Sequence, residues 1–119
     1  MTPATRGSLR LMFDWGCHGV WFDTESGLAN VDSAELGVSS GLASAVRSWT
    51  ARAEATYLPR DPARSGFADP HEEAAWIGEG RSLARCLAQE LRCEVLYYNW
   101  STRDLERLVH SGGIRTAKP

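Results

Sequence analysis

Residues 14–22 read Asp-Trp-Gly-Cys-His-Gly-Val-Trp-Phe, which sets Cys17 beside His18 between two glycines. A thiol nucleophile needs a base within hydrogen-bond reach and a third group to orient that base. Neighbours on a strand point to opposite faces, so only a turn brings these two side chains together. Families that use a cysteine and a histidine draw them from distant parts of the chain, and no oxyanion-type loop accompanies this stretch. Cys17 and His18 are therefore read as the tip of a hairpin, with no catalytic residue assigned and a reactive Cys17 kept as the alternative. The other candidate metal ligands are His71, Cys86, Cys93 and His110. None makes a C-x2–4-C or H-x3–5-H pair, so neither a metal site nor a cofactor is expected.

Asp14 and Asp23 flank the segment. They are expected as cross-strand neighbours at one end of a sheet, either solvated or close enough to bind a cation or raise one another's pKa. Phosphate-binding motifs of the G-x-G-x-x-G or G-x4-G-K-[ST] type are absent. Arg60, Arg64 and Arg81 either gather around an anion or remain separately solvated. The strongest signal is aromatic: the chain holds five tryptophans among 119 residues. Trp49 and Trp76 fall on helical stripes and read as core. Trp15, Trp21 and Trp100 lie on or beside expected strands, where tryptophan and tyrosine make effective contact surfaces.

These residues need a frame. Residues 9–15 alternate, with Leu9, Leu11 and Phe13 against Arg10, Met12 and Asp14, which is the period of a strand. Residues 20–23 form a second strand after a short glycine-bearing loop. Residues 24–38 carry turn residues, with one helical turn expected at Asp32–Glu35. A first helix should open at Ser39 or Ser40 and run to about Tyr57, burying Leu42, Val46, Trp49 and Ala53. Pro59 and Pro62 end it. A second helix opens at Asp69-Pro70, with Glu72 and Glu73 at the positive end of its dipole. It buries Trp76, Gly80, Leu83, Leu87 and Leu91. A glycine on that stripe implies the close approach of another element, with Trp49 the candidate. Cys86 and Cys93 read as small buried hydrophobes. Residues 93–100 form a third strand, with Val95 and Tyr97 on one face and Leu96, Tyr98 and Trp100 on the other. A last short helix is expected from Ser101 or Thr102 to about His110. Residues 1–7 and 111–119 are expected to be flexible.

The order is β-β-α-α-β with a short C-terminal appendage, in one domain spanning 1–119. The fold class is α+β: a small two-layer domain with two helices on one face of a three-stranded sheet, its first strand central. Net charge is −2. Of the 13 basic and 15 acidic residues, four and two respectively lie in residues 101–119, so the rest of the chain is acidic on balance. That composition argues against nucleic acid as a partner. No stretch is long and apolar enough for a membrane span, and no secretory signal is evident, so a cytoplasmic location is expected. Three cysteines without a C-x-x-C pair make a disulfide framework improbable.

Ser39, Trp49, Asp61-Pro62, Ser65-Gly66-Phe67, Glu79-Gly80, Leu83 and Val95–Tyr97 form a pattern. With the tryptophan-bearing hairpin before it, the pattern resembles a group of small, mostly uncharacterised actinobacterial proteins over about residues 9–98. The group has no chemistry to carry over. Some small proteins of this shape are immunity or accessory proteins, and that analogy implies a protein partner.

With both helices on one face, the other sheet face must be solvated, used for contact, or covered by residues 24–38 or the C-terminal segment. The chain is read first as a non-enzymatic protein-binding domain of immunity or accessory type. It would hold another protein, or a second copy of itself, on an aromatic sheet face with an acidic rim. The candidate binding residues are Asp14, Trp15, His18, Trp21, Asp23, Tyr98 and Trp100. The alternative is a small enzyme or ligand-binding domain with a tryptophan-lined pocket near Cys17 and His18.

Overall fold

The computed structural model describes residues 8–109. The expected flexible ends lie outside the described residues. Five strands form one sheet: β1 (Leu9–Leu11), β2 (Val20–Thr24), β3 (Gly27–Val31), β4 (Val95–Tyr98) and β5 (Leu105–Leu108). Their spatial order is β3-β2-β1-β4-β5, so β1 is central as its alternation implies. It runs antiparallel to β2 and parallel to β4. Helix α1 (Ser40–Glu54) and helix α2 (Pro70–Leu91) pack on the face that carries Leu11, Val20 and Tyr97. The two-layer α+β arrangement therefore stands, with a sheet wider than the three strands expected.

Both additional strands come from segments read otherwise, and tertiary pairing decided each. Residues 27–31 include Gly, Ala and Asn, poor strand formers. They pair with β2 in full register from Thr24↔Gly27 to Val20↔Val31. The two-residue turn Glu25-Ser26 closes that hairpin, and Gly27 sits at φ 123°, where a side chain would be strained. At the C-terminal end, Ser101 and Thr102 do not cap a helix. Their backbone N–H groups instead donate to Oδ1 of Asn99 (2.9 and 3.1 Å), and Asn99 N donates to the Asp104 carbonyl. Arg103 adopts a left-handed φ of 67°. This tight turn sends the chain back along β4, and Glu106 is held by Arg81 of α2. The expected terminal helix is therefore a strand.

The helix starts follow their cap chemistry. Ser39 Oγ accepts from Leu42 N, and Asp69 Oδ1 accepts from His71 N. The first helix ends at Glu54 rather than Tyr57, because the next residues continue as tighter turns such as Tyr57 N to Glu54 O. At the centre of the core the indoles of Trp49 and Trp76 stack at 4.4 Å, tilted by only 1°. Each Nε1 donates to the other residue's backbone carbonyl at 2.9 Å. The expected approach of Trp49 to Gly80 is there: a Cβ on Gly80 would lie 2.5 Å from Trp49 Cζ2. Two cysteines depart from expectation. Cys86 is exposed and Cys93 half-buried. Cys86 lies about 100° around the helix from its neighbour Leu87, which takes the buried position.

Candidate functional site

Strand register places one set of side chains on the sheet face opposite the helices. A row crosses all five strands: Asn30, Trp21, Arg10, Leu96, Arg107. Met12, Asp23 and Leu28 belong to the same face, as do Tyr98 and its cross-strand partner Leu105. Tyr97 points into the core, where its hydroxyl donates to the Ile77 carbonyl and burial pushes its pKa up. Of the two tyrosines the open face therefore takes Tyr98. Trp21, Leu96 and Tyr98 are half-buried by their neighbours, while Leu105 is 45 % exposed. Within the described residues, Gly27–Val31 and Leu105–Leu108 of the two segments expected as covers widen this face as β3 and β5.

Asn30, Asp23, Arg10 and Arg107 share this face with the apolar side chains, and most of their polar groups are engaged. Trp21 Nε1 donates to the Met12 carbonyl at 2.9 Å, which lays the indole along the sheet. Arg107 Nε lies 2.8 Å from Glu94 Oε2. Arg10 reaches Asp23 at only 3.7 Å, and its Nε is buried with no hydrogen-bond partner.

A second patch lies at the end of the sheet. Trp15 meets Phe13 edge-on at 4.8 Å, Tyr57 at 5.6 Å and Trp100 at 6.4 Å. Trp100 Nε1 donates to the Phe13 carbonyl. Tyr98 contacts Trp100 at 6.4 Å and so joins this patch to the open face. Asp14 sits beside it, its carboxylate accepting from Trp15 N and its carbonyl from Cys17 N. Asp23 lies at the other end of the hairpin, with its N–H on the Ser8 carbonyl. Asp14 and Asp23 are thus not neighbours, because β1 and β2 run in opposite directions.

His18 and Cys17 border a cleft of about 160 Å³ with Ser33, Val46, Arg47 and Thr50. The His18 backbone is clamped by Asn30, whose side chain accepts from His18 N and donates to His18 O. Arg47 grips Asp32 through Nε and Nη2 at 3.1 and 2.8 Å, which holds the Asp32 carboxyl down to about 2. No tryptophan lines this cleft. Trp15, Trp76 and Trp100 line, with Phe13, a gap of about 40 Å³, and Trp76 alone of the three borders a wider groove of about 520 Å³ with Arg52, Phe67 and Glu72, away from Cys17 and His18. The gap among the three tryptophans has room for a water rather than a substrate. Among the described residues, no tryptophan therefore lines the cleft near Cys17 and His18. The arginines do not gather either: Arg64 faces Asp61 at 3.9 Å, while Arg81 pairs with Glu106 at 2.7 Å. No group of three or more His, Cys, Asp or Glu is placed to hold a metal ion among the described residues. No described helix is long and apolar enough to cross a membrane.

Residues 7–100 match the family described as Serratia CdiI immunity protein-like. The chain belongs to that family. The match takes in the hairpin, both helices and β4, so it includes most of the open face and stops just before β5. No curated protein matches the chain. The candidate residues divide into three groups on this family member: Trp21, Asp23 and Tyr98 on the open face; Asp14, Trp15 and Trp100 at the sheet end; His18 at the hairpin tip. Arg10, Leu96, Leu105 and Arg107 were not among the candidates. For Arg10 the signal was present, since alternation sets it on the face opposite Leu9 and Leu11. Leu105 and Arg107 were hidden by the helical reading of their segment.

Proposed function

We propose that this chain is an immunity protein that binds a toxin protein and holds it inactive, using the open sheet face as its contact surface. Family membership supports the role. The carrying observation for the surface is the set Trp21, Leu96, Tyr98 and Leu105, interspersed with Arg10 and Arg107, which no described element covers. An exposed face of this kind marks a protein-contact site more often than an idle surface. Trp21 is the central anchor, and Tyr98 extends the contact towards Trp100 and Trp15. Asp23 and Asp14 form the acidic rim. His18 lies at the margin, beside Asn30.

The test is growth protection. Each reading frame adjoining the gene is expressed in a sensitive host, with and without this chain. One frame should arrest growth alone and not with the chain, and the two products should co-purify. Trp21→Ala should keep the fold and lose protection. If no neighbouring product is neutralised, the immunity role fails. If Trp21→Ala protects fully, the role stands on another surface.

A further inference from the structure

The two edges of the sheet are built differently. The β5 edge carries Glu106 and Arg107, both tied into ion pairs with Arg81 and Glu94. Charges on an edge strand discourage the addition of another strand. The β3 edge, Gly27-Leu28-Ala29-Asn30-Val31, has no charged residue and no proline, and its first four residues are exposed. It pairs with β2 without a bulge, and no described strand lies beyond it. The two-residue turn makes Thr24 and Gly27 the hydrogen-bonded pair. Pairs then alternate along the ladder, so Ala29 and Val31 bond to β2 while Leu28 and Asn30 aim their N–H and C=O groups outward. Such an edge is a template for an incoming strand.

The surrounding charges select the occupant. Glu25 stands at the start of β3, with Asp32 and Glu35 just past its end. An antiparallel second copy, centred on Ala29, would set Glu25 of each chain opposite Ser33 of the other, between Asp32 and Glu35, an excess of acid that Arg47 offsets only in part. Like charges facing one another across strands are destabilising. A strand with an uncharged middle and Lys or Arg at its flanks meets Glu25 at one end and, beyond the Asp32–Arg47 pair, Glu35 at the other. We infer that β3 is a strand-addition site for an extended, basic-flanked segment of the partner protein. The partner sheet would then run on from β3, beside Asn30 and Trp21 on the open face. This rests on the immunity reading above, because it assigns the toxin's segment to that edge.

The probe is an inactivated form of the toxin identified by growth protection, titrated into the full chain. Amide hydrogen exchange should show Leu28 and Asn30 unprotected in the free chain and protected in the complex. Leu28→Pro removes an outward N–H without touching the β2 ladder. It should weaken binding by about tenfold or more, with Leu28→Ala changing it by less than about threefold. Glu25→Lys should weaken binding in a salt-dependent way. Should Leu28→Pro fail to fold, exchange and Glu25→Lys decide. Unchanged exchange at Leu28 and Asn30 in the complex overturns the assignment. So does a dimer of the chain alone that protects those amides, which would place a second copy there. Binding lost in Trp21→Ala but intact in Leu28→Pro leaves the open face standing and removes the edge. The reverse pattern keeps the edge and removes the face. Failure of growth protection itself removes the toxin, and the inference falls with it.

Discussion

Replacing Gly80 with alanine puts a methyl group where the Trp49 indole already sits. The new Cβ would lie 2.5 Å from Trp49 Cζ2, 2.8 Å from Trp49 Cε2 and 2.8 Å from Tyr97 Cε1. Carbon atoms pack best at about 3.5–4.0 Å, so both rings must retreat by about 1 Å. Neither is free to do so. Trp49 is stacked on Trp76 and bonded to its carbonyl, while Tyr97 is bonded to Ile77. Overpacking of this kind costs about 1–3 kcal/mol. Pulling one indole N–H off its buried carbonyl adds about 1–3 kcal/mol. Alanine's better helix propensity returns about 1 kcal/mol. The net expectation is a loss of about 1–5 kcal/mol, by combining these terms. Gly78 supplies the control in the same helix, since nothing lies within 4 Å of a Cβ there. Gly78→Ala should raise stability by up to about 1 kcal/mol. Urea denaturation of the three proteins reads both numbers. If Gly80→Ala is as stable as wild type, or stabilised like Gly78→Ala, the tight Trp49 contact is not what holds glycine at this position.

Three further outcomes are expected. Arg81, with Asn99 adding to it, holds the Glu106 carboxyl down to about 2 from an ordinary 4.5. The folded pKa is lowered, so Glu106 stabilises the fold above its ordinary pKa and loses that contribution as pH falls towards 2. The stability gap between wild type and Glu106→Gln should shrink over that window, as thermal melts at successive pH values will read; a constant gap contradicts the pairing. Timed alkylation at neutral pH, followed by mass spectrometry, should modify exposed Cys86 before Cys93, whose thiol is pushed up chiefly by burial. Equal rates would contradict that burial. Trp49→Phe should lower stability by about 1–3 kcal/mol through the lost indole bond to the Trp76 carbonyl and the smaller ring in the stack, and chemical denaturation will show it.

Sequence legibility tracked how local each physical cause is. Ser39 and Asp69-Pro70 announced their helices because a cap needs only the next few residues. The period-two pattern of Leu9, Leu11 and Phe13 marked a buried strand, and its regularity marked the centre of the sheet. Even the Gly80–Trp49 contact was readable, since a glycine on a buried stripe leaves a space that a bulky neighbour must fill. The three-way division of the candidate site was not readable, since it depends on which way paired strands run. Asp14 and Asp23 look like partners along the chain, yet antiparallel pairing sends them to opposite ends.

What the sequence by itself determined was the α+β class, the helix boundaries to within a few residues, and the aromatic supply of the open face. Only the tertiary structure decided that Gly27–Val31 and Leu105–Leu108 are strands. Neither segment has a strong strand propensity. Each gains its hydrogen bonds from a neighbour already in place: β2 for one, β4 and the Arg81–Glu106 pair for the other. Pairing of that kind is a property of two distant segments together, and it set both the width of the open face and the character of its two edges.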